Sequence, residues 1–333
     1  MIELKTPRGL PVAVPEVPDE DPSPRFNLSQ WAAARAYYDE HGYVVFSNLF
    51  PADTCDGMRA LWQSEVKPFD GFMYRQATAK AERHVKNGNG WVMNPILNLQ
   101  SVDPLRFPGF RTFATHEFLT NGALTAGFRL LMGECPKIVQ SMYFEGNSAT
   151  WEHQDSYYLD SEKVGEMAAA WIALEDIGAR AGRFFVCPGS HRIRLRDHSL
   201  LNNIAANHEA YIQSVVREIR ERKLEIRAPR LVRGDTLFWN ALTIHGSLDS
   251  QDPQRSRSSI TCHAIPASRH FLQLQTRTLD LPVEEFGDCL LYRPKDLALP
   301  ANRAVLRLES RFPTAFYWLK KQAIVSLMRL KAA

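Results

Sequence analysis

The sequence lacks most of the signatures that announce a common function. No apolar run approaches the roughly 18 residues that a membrane span requires. No G-x-G-x-x-G follows a candidate strand, and Walker A, G-x-S-x-G and H-E-x-x-H motifs are absent. Dinucleotide folds, P-loop enzymes, α/β-hydrolases and zincins are therefore not indicated. Cysteine is scarce: Cys55, Cys135, Cys187, Cys262 and Cys289 are odd in number and show no C-x-x-C spacing. That argues against a disulfide framework or a structural zinc site and reads as buried thiols in a reducing compartment. An excess of charge is also missing. Forty basic against 37 acidic residues leave +3, and no basic stripe interleaves with aromatics, so nucleic acid is not an expected partner. The opening MIELKTPRGLPVAV has charges and prolines where a signal peptide needs an apolar segment, and the expected location is the cytoplasm.

What is present is an ordinary globular composition, 45% hydrophobic and 11% aromatic over 333 residues, enough to bury a core. Residues 1–26 carry six prolines and predict an extended arm. Residues 27–300 predict one domain. A helix from Gln30 to Glu40 is stopped by Gly42, a strand follows at Tyr43–Phe46, and Pro51 opens a helix to Val66. Residues 70–100 are irregular, and 112–132 read as helical. From Lys137 the texture changes to short β runs at Ile138–Phe144, Thr150–Tyr158, Ala168–Leu174, Arg183–Cys187, Leu231–Trp239 and Ser258–Ala264. One amphipathic helix interrupts them at Ala206–Lys223. Residues 301–333 predict a C-terminal helical extension of mixed basic and aromatic character, packed on the barrel or on a second copy, so a monomer or homodimer is expected. Helices first and short strands after predict an α+β, mainly β fold: a barrel or sandwich with a layer of helices.

Two stretches carry chemistry. In Trp151-Glu152-His153-Gln154-Asp155, positions i and i+2 of a strand share a face, which brings an imidazole beside a carboxylate. A surface polar pair explains this dipeptide pattern equally well. The second stretch runs from Gly234-Asp235 through an apolar strand to His245-Gly246-Ser247 and then to Arg255 and Arg257. An arginine entering an uncharged β run is costly to bury unless it meets an anion, and its planar fork suits a carboxylate. Two histidines and one carboxylate on one barrel face form the facial triad of non-haem Fe(II) oxygenases.

Taken with Gly42-Tyr43-Val44-Val45-Phe46, Tyr157-Tyr158, Trp171-Ile172-Ala173-Leu174-Glu175-Asp176 and Cys187-Pro188-Gly189-Ser190-His191, these motifs resemble the phytanoyl-CoA dioxygenase family of Fe(II)/2-oxoglutarate oxygenases. The resemblance spans about Gln30 to Ala264. It implies a double-stranded β-helix of the jelly-roll, cupin-like type, with Fe(II), 2-oxoglutarate and O2 as cofactors and cosubstrates. It implies His153, Asp155 and His245 as iron ligands, and Arg257 as the clamp on 2-oxoglutarate with Ser247 as its hydroxyl helper. Trp171 and Gln140 are implied at the cosubstrate pocket. Relatives place the clamp about eleven residues beyond the distal histidine. Arg255 lies ten and Arg257 twelve beyond His245, and Arg257 fits the strand pattern better. The carboxylate at Asp155 points to oxidation without halide, since related halogenases carry a small residue there. The implied reaction hydroxylates a C–H bond of a small metabolite, a specialised natural-product intermediate, with release of succinate and CO2. Desaturation, epoxidation, demethylation and ring rearrangement use the same centre, and a barrel without catalysis would be a binding module. Candidate substrate contacts are Arg75, within the cationic set Lys80, Arg83, His84 and Lys86, and the aromatics Trp91, Tyr143, Tyr157 and Trp239. His191 reads as a loop residue, and His263 and Cys262 read as barrel-wall residues.

Overall fold

The computed structural model describes residues 1–146, 149–195, 204–275 and 277–332, with the side chains of 204–206 and 323–332 excepted. Eight short strands frame the barrel: β1 (Tyr43–Phe46), β2 (Pro136–Phe144), β3 (Thr150–His153), β4 (Ala168–Ala173), β5 (Phe184–Val186), β6 (Thr236–Asn240), β7 (His245–Ser247) and β8 (Ser259–Pro266). They form two sheets. The larger runs β2-β8-β4-β6-β1 with antiparallel neighbours, and the smaller runs β5-β7-β3.

Alternation along each strand decides which side chains meet. Ala169, Trp171, Leu237 and Trp239 point from the large sheet towards Phe184 and Val186 of the small one, which closes the barrel interior. Their neighbours Ala168, Ala170, Ile172, Phe238, Ile260 and Cys262 point the other way, into a core shared with Met58, Trp62, Phe110 and Phe128. Those residues come from the layer built by α1 (Trp31–His41), α2 (Ala52–Leu61) with the turn Trp62–Val66 that follows it, α3 (Pro108–Phe113) and α4 (Gly122–Met132). The fold is a jelly-roll barrel with helices on one side. α5 (Ile204–Glu221) lays Tyr211, Ile212, Val215, Val216 and Ile219 over Tyr157, Cys187 and Ile244, capping the small sheet.

The chain termini close over this frame. Ile2–Lys5 and Pro11–Val14 pair as a hairpin whose Val12 and Val14 are buried against Phe185 and Leu248. Its turn reaches the small sheet, where the Thr6 hydroxyl and the Arg8 amide both donate to the buried Glu152 carboxylate. At the other end come α6 (Pro300–Arg311) and α7 (Pro313–Ala332). Glu309 of α6 is buried and accepts from Ala81 N at 2.8 Å and Tyr74 Oη at 3.3 Å, which docks the helix on the segment around residues 73–82.

Two elements differ from the sequence reading, and a third agrees with it. Residues 112–132 are not one helix: α3 passes through a wide turn at Ala114–Leu119, and Asn121 starts α4 by accepting from Ala123 N at 2.9 Å. The run Thr150–Tyr158 is strand only to His153, after which Asp155–Tyr157 form a 3-10 turn. Gly42 ends α1 as expected, in the left-handed region at φ 76°, and a Cβ there would lie 2.4 Å from His191 Nδ1.

Candidate active site

The two histidines belong to neighbouring strands. β7 pairs antiparallel with β3 so that His245 stands directly opposite His153. Gly246 permits this approach, because a Cβ on it would come within 2.5 Å of the Thr150 carbonyl oxygen. The imidazoles are held alike. His153 donates from Nδ1 to Trp151 O at 2.8 Å, and His245 donates from Nδ1 to Thr243 O at 2.9 Å. Each bond fixes the tautomer that leaves Nε2 as a free lone pair facing the barrel interior.

Asp155 arrives from the turn after β3. Its Oδ1 lies 3.5 Å from His153 Nε2 and 3.5 Å from His245 Nε2. The ligand atoms of all three residues fall within 4.8 Å of one another, and all three are buried. Burial alone would raise the Asp155 pKa. The adjacent His245, His263 and His153 outweigh it and hold the carboxyl well below its ordinary range, so the group is an anion. Two imidazole nitrogens and one carboxylate oxygen converging on a common point make a donor set suited to a ferrous ion. The other oxygen, Oδ2, accepts from Trp239 Nε1 at 2.8 Å.

Arg257 lies deeper in the barrel and is 2% exposed. Its Nη1 donates to Gly182 O at 3.1 Å, while Nε has no partner. The guanidinium carbon sits 5.3 Å from the centre of the Phe144 ring and 5.8 Å from that of Trp171. Burial pulls its pKa down to about 9. Among the described residues no carboxylate lies within ion-pair distance. A desolvated cation with donors to spare fits an incoming dicarboxylate. Arg255, by contrast, is 66% exposed and pairs with Asp252 at 3.2 Å on the surface. Trp171 shares the inward face with Arg257. Gln140 is half-buried and stands opposite His263 on that same face. Ser247 is buried, and its Oγ accepts from Thr150 N at 2.9 Å.

The expected substrate contacts are dispersed. Tyr143 points out of the barrel, buried among the helices and stacked on Trp62 at 4.2 Å between ring centres. Its parity on β2 is opposite to that of Gln140, so it does not line the pocket. Arg75 is 1% exposed: Nε and Nη2 donate to Glu82 O, and Nη1 donates to Asn94 O. It ties a loop together and has no face to offer a substrate anion. Arg83 and Lys86 are exposed. Tyr157 stacks on Tyr211 at 3.7 Å beneath α5. Trp91 is half-buried beside Gly146, with Lys67 Nζ 4.5 Å over its ring. Trp239 is inside the barrel, but it serves Asp155 directly. His263, read from sequence as a wall residue, has Nε2 3.3 Å from Asp155 Oδ2. Counting by twos from Arg257 through Ser259 and Thr261 reaches His263, so strand parity was the signal that could have placed it on the site's face.

A family profile described as "Phytanoyl-CoA dioxygenase (PhyH)" matches residues 38–258. The peroxisomal phytanoyl-CoA dioxygenase of Bos taurus is 25% identical over 279 residues, covering 80% of this chain and 78% of its own length. That of Homo sapiens is 24% identical over 251 residues, covering 72% and 70%. Among solved structures, the non-heme alpha ketoglutarate dependent epimerase SnoN from nogalamycin biosynthesis aligns with TM-score 0.54 at 17% identity, over 80% of this chain and 99% of that one. EctD from S. alaskensis with 2-oxoglutarate and 5-hydroxyectoine aligns with TM-score 0.51 at 18% identity, over 78% and 88%. At such identities the structural likeness establishes a shared fold.

Proposed function

The chain belongs to the phytanoyl-CoA dioxygenase family and is a non-haem iron oxygenase that uses 2-oxoglutarate; from that premise we propose that it hydroxylates an unactivated C–H bond of a small metabolite, releasing succinate and CO2. The metabolite in this reading is an intermediate of specialised natural-product biosynthesis, and the enzyme works in the cytoplasm as a monomer or homodimer. The observation that carries the reading is the pairing of two features: a buried His153, Asp155, His245 cluster, and a buried Arg257 that lacks a carboxylate.

The assignments follow from what each side chain has free. His153 and His245 would hold the metal through Nε2, because Nδ1 of each is committed to a carbonyl. Asp155 would hold it through Oδ1, because Oδ2 is turned to Trp239. Arg257 would bind the distal carboxylate of 2-oxoglutarate, with Ser247 and Gln140 completing its polar contacts. Trp171 and Phe144 flank the guanidinium and exclude water, which strengthens its attraction for the acid. Bound iron with 2-oxoglutarate and dioxygen supplies the oxidising power, and the protein supplies binding, orientation and a dry cavity. Asp155 occupies the ligand position that a halide would otherwise take, which supports hydroxylation.

The test is anaerobic addition of Fe(II) and then 2-oxoglutarate, followed by the visible metal-to-ligand charge-transfer band. The band is expected with the native protein and not with His245→Ala. Screening a metabolite library in air for succinate release and a product heavier by one oxygen then identifies the substrate. A folded protein that gives neither band nor succinate would sink the reading.

A further inference from the structure

The two oxygens of Asp155 face different company. Oδ1 looks at His153 and His245, and Oδ2 looks at Trp239 and His263. The second pair is assembled by one row of residues across the large sheet. Trp239 on β6 and His263 on β8 both stand opposite Ala169, which lies between them on β4. A methyl group at the middle of the row leaves room for the two large rings to lean together over the carboxylate, edge to face, with centroids 6.0 Å apart. Trp239 uses this position to donate to Oδ2 at 2.8 Å. His263 Nε2 stands 3.3 Å from the same oxygen, yet neither of its ring nitrogens makes a hydrogen bond, and the residue is 3% exposed.

A buried imidazole without hydrogen bonds is expensive, at roughly 1–3 kcal/mol for each unsatisfied group. An apolar residue would fill the same space without that cost. The arrangement makes sense if the donor is held ready for the carboxylate. Given the iron site proposed above, on which this inference rests, we propose that His263 is a positioning residue: it donates from Nε2 to Asp155 Oδ2 once Oδ1 is committed to the metal. Trp239 and His263 then hold the outer oxygen from two sides. The carboxylate is kept as a one-oxygen ligand and cannot swing Oδ2 round to take a second coordination position needed by 2-oxoglutarate. His263 is not itself a ligand, because only His153, Asp155 and His245 share a common point among the described residues. Partners of this kind around metal-bound carboxylates commonly change metal affinity by about 10–100-fold.

The experiment compares the native protein with His263→Ala and with His263→Gln, whose amide nitrogen keeps a donor near the place of Nε2. Three readouts are taken: Fe(II) affinity by anaerobic titration, the charge-transfer band of the anaerobic Fe(II) and 2-oxoglutarate complex, and the melting temperature of the metal-free proteins. The expected result for His263→Ala is Fe(II) binding weakened by about 10–100-fold and a displaced band, with the metal-free melting temperature held. His263→Gln should recover most of both properties. Native affinity and an unmoved band in both variants would overturn the proposal. So would a loss of affinity that tracks a fall in metal-free melting temperature and that glutamine does not restore, because that is the mark of packing alone. Absence of any band from the native protein would instead defeat the iron reading itself, so the two failures are distinguishable.

Discussion

Two of the buried arginines, Arg75 and Arg257, are buried for opposite reasons. Arg75, in the loop region beside the helical layer, is 1% exposed with its donors shared between two backbone carbonyls and the ring of His84. Arg257, inside the barrel, is 2% exposed with one carbonyl and an unpartnered Nε. Burial lowers the pKa of both, to about 10 and about 9. The first cation is consumed by the fold. The second is kept in reserve, and the fold bears its desolvation. Depth alone does not mark a functional charge; the count of donors left over does.

Breaking that contrast should have its largest effect at Arg257. Arg257→Leu removes the charge-assisted grip on 2-oxoglutarate and should weaken its binding by at least about 100-fold, measured by anaerobic titration. The metal-free protein should melt no lower than the native one, since an apolar group replaces an unpaired cation. Arg75→Met should do the reverse. It strands the carbonyls of Glu82 and Asn94 and should cost about 2 kcal/mol in denaturant unfolding, while 2-oxoglutarate affinity in the folded protein stays unchanged. A third effect is sharper in pH than in size. His84 donates from Nε2 to Val66 O at 2.9 Å, and its Nδ1 accepts from Arg75 Nη2 at 3.1 Å. Burial lowers its pKa to about 4. The unfolded chain therefore takes up a proton nearer pH 6.5, before the folded one does. Stability should fall as pH drops from about 6.5 towards 4, by roughly 1 kcal/mol once solvent screening is allowed for. His84→Asn should flatten that slope. The smallest effect belongs to Arg255→Ala, which removes an exposed pair with Asp252: below about 0.5 kcal/mol in stability and none in 2-oxoglutarate affinity.

Much of the site could be read before the structure because its residues carry unusual chemistry at short spacing. His153 and Asp155 are two positions apart, and His245 follows an apolar strand. What resisted was orientation. Every residue of β4 is buried on both faces, and its run of alanines with Trp171 and Ile172 carries no polar alternation to show which side looks inward; β8 does alternate, with Ser259, Thr261 and His263 on one face. Tyr143, an expected pocket aromatic, faces the helices from β2, and His263, read as a wall residue, reaches Asp155. Arg75 misled differently. It sits among exposed cations in a glycine-containing stretch, and hydrogen bonds from a side chain to carbonyls 7 and 19 residues away leave no pattern in sequence. The bond from Trp239 to Asp155 spans 84 positions and was equally invisible.

The hairpin at the start of the chain has a practical consequence for anyone preparing the enzyme. Its turn grips Glu152, the immediate neighbour of His153, and its valines cover Phe185 and Leu248. Deleting the first fourteen residues as a dispensable tail would strip the backing from the strand that offers an imidazole to the metal. A shortened preparation that loads iron poorly would then report on its own trimming rather than on the catalyst.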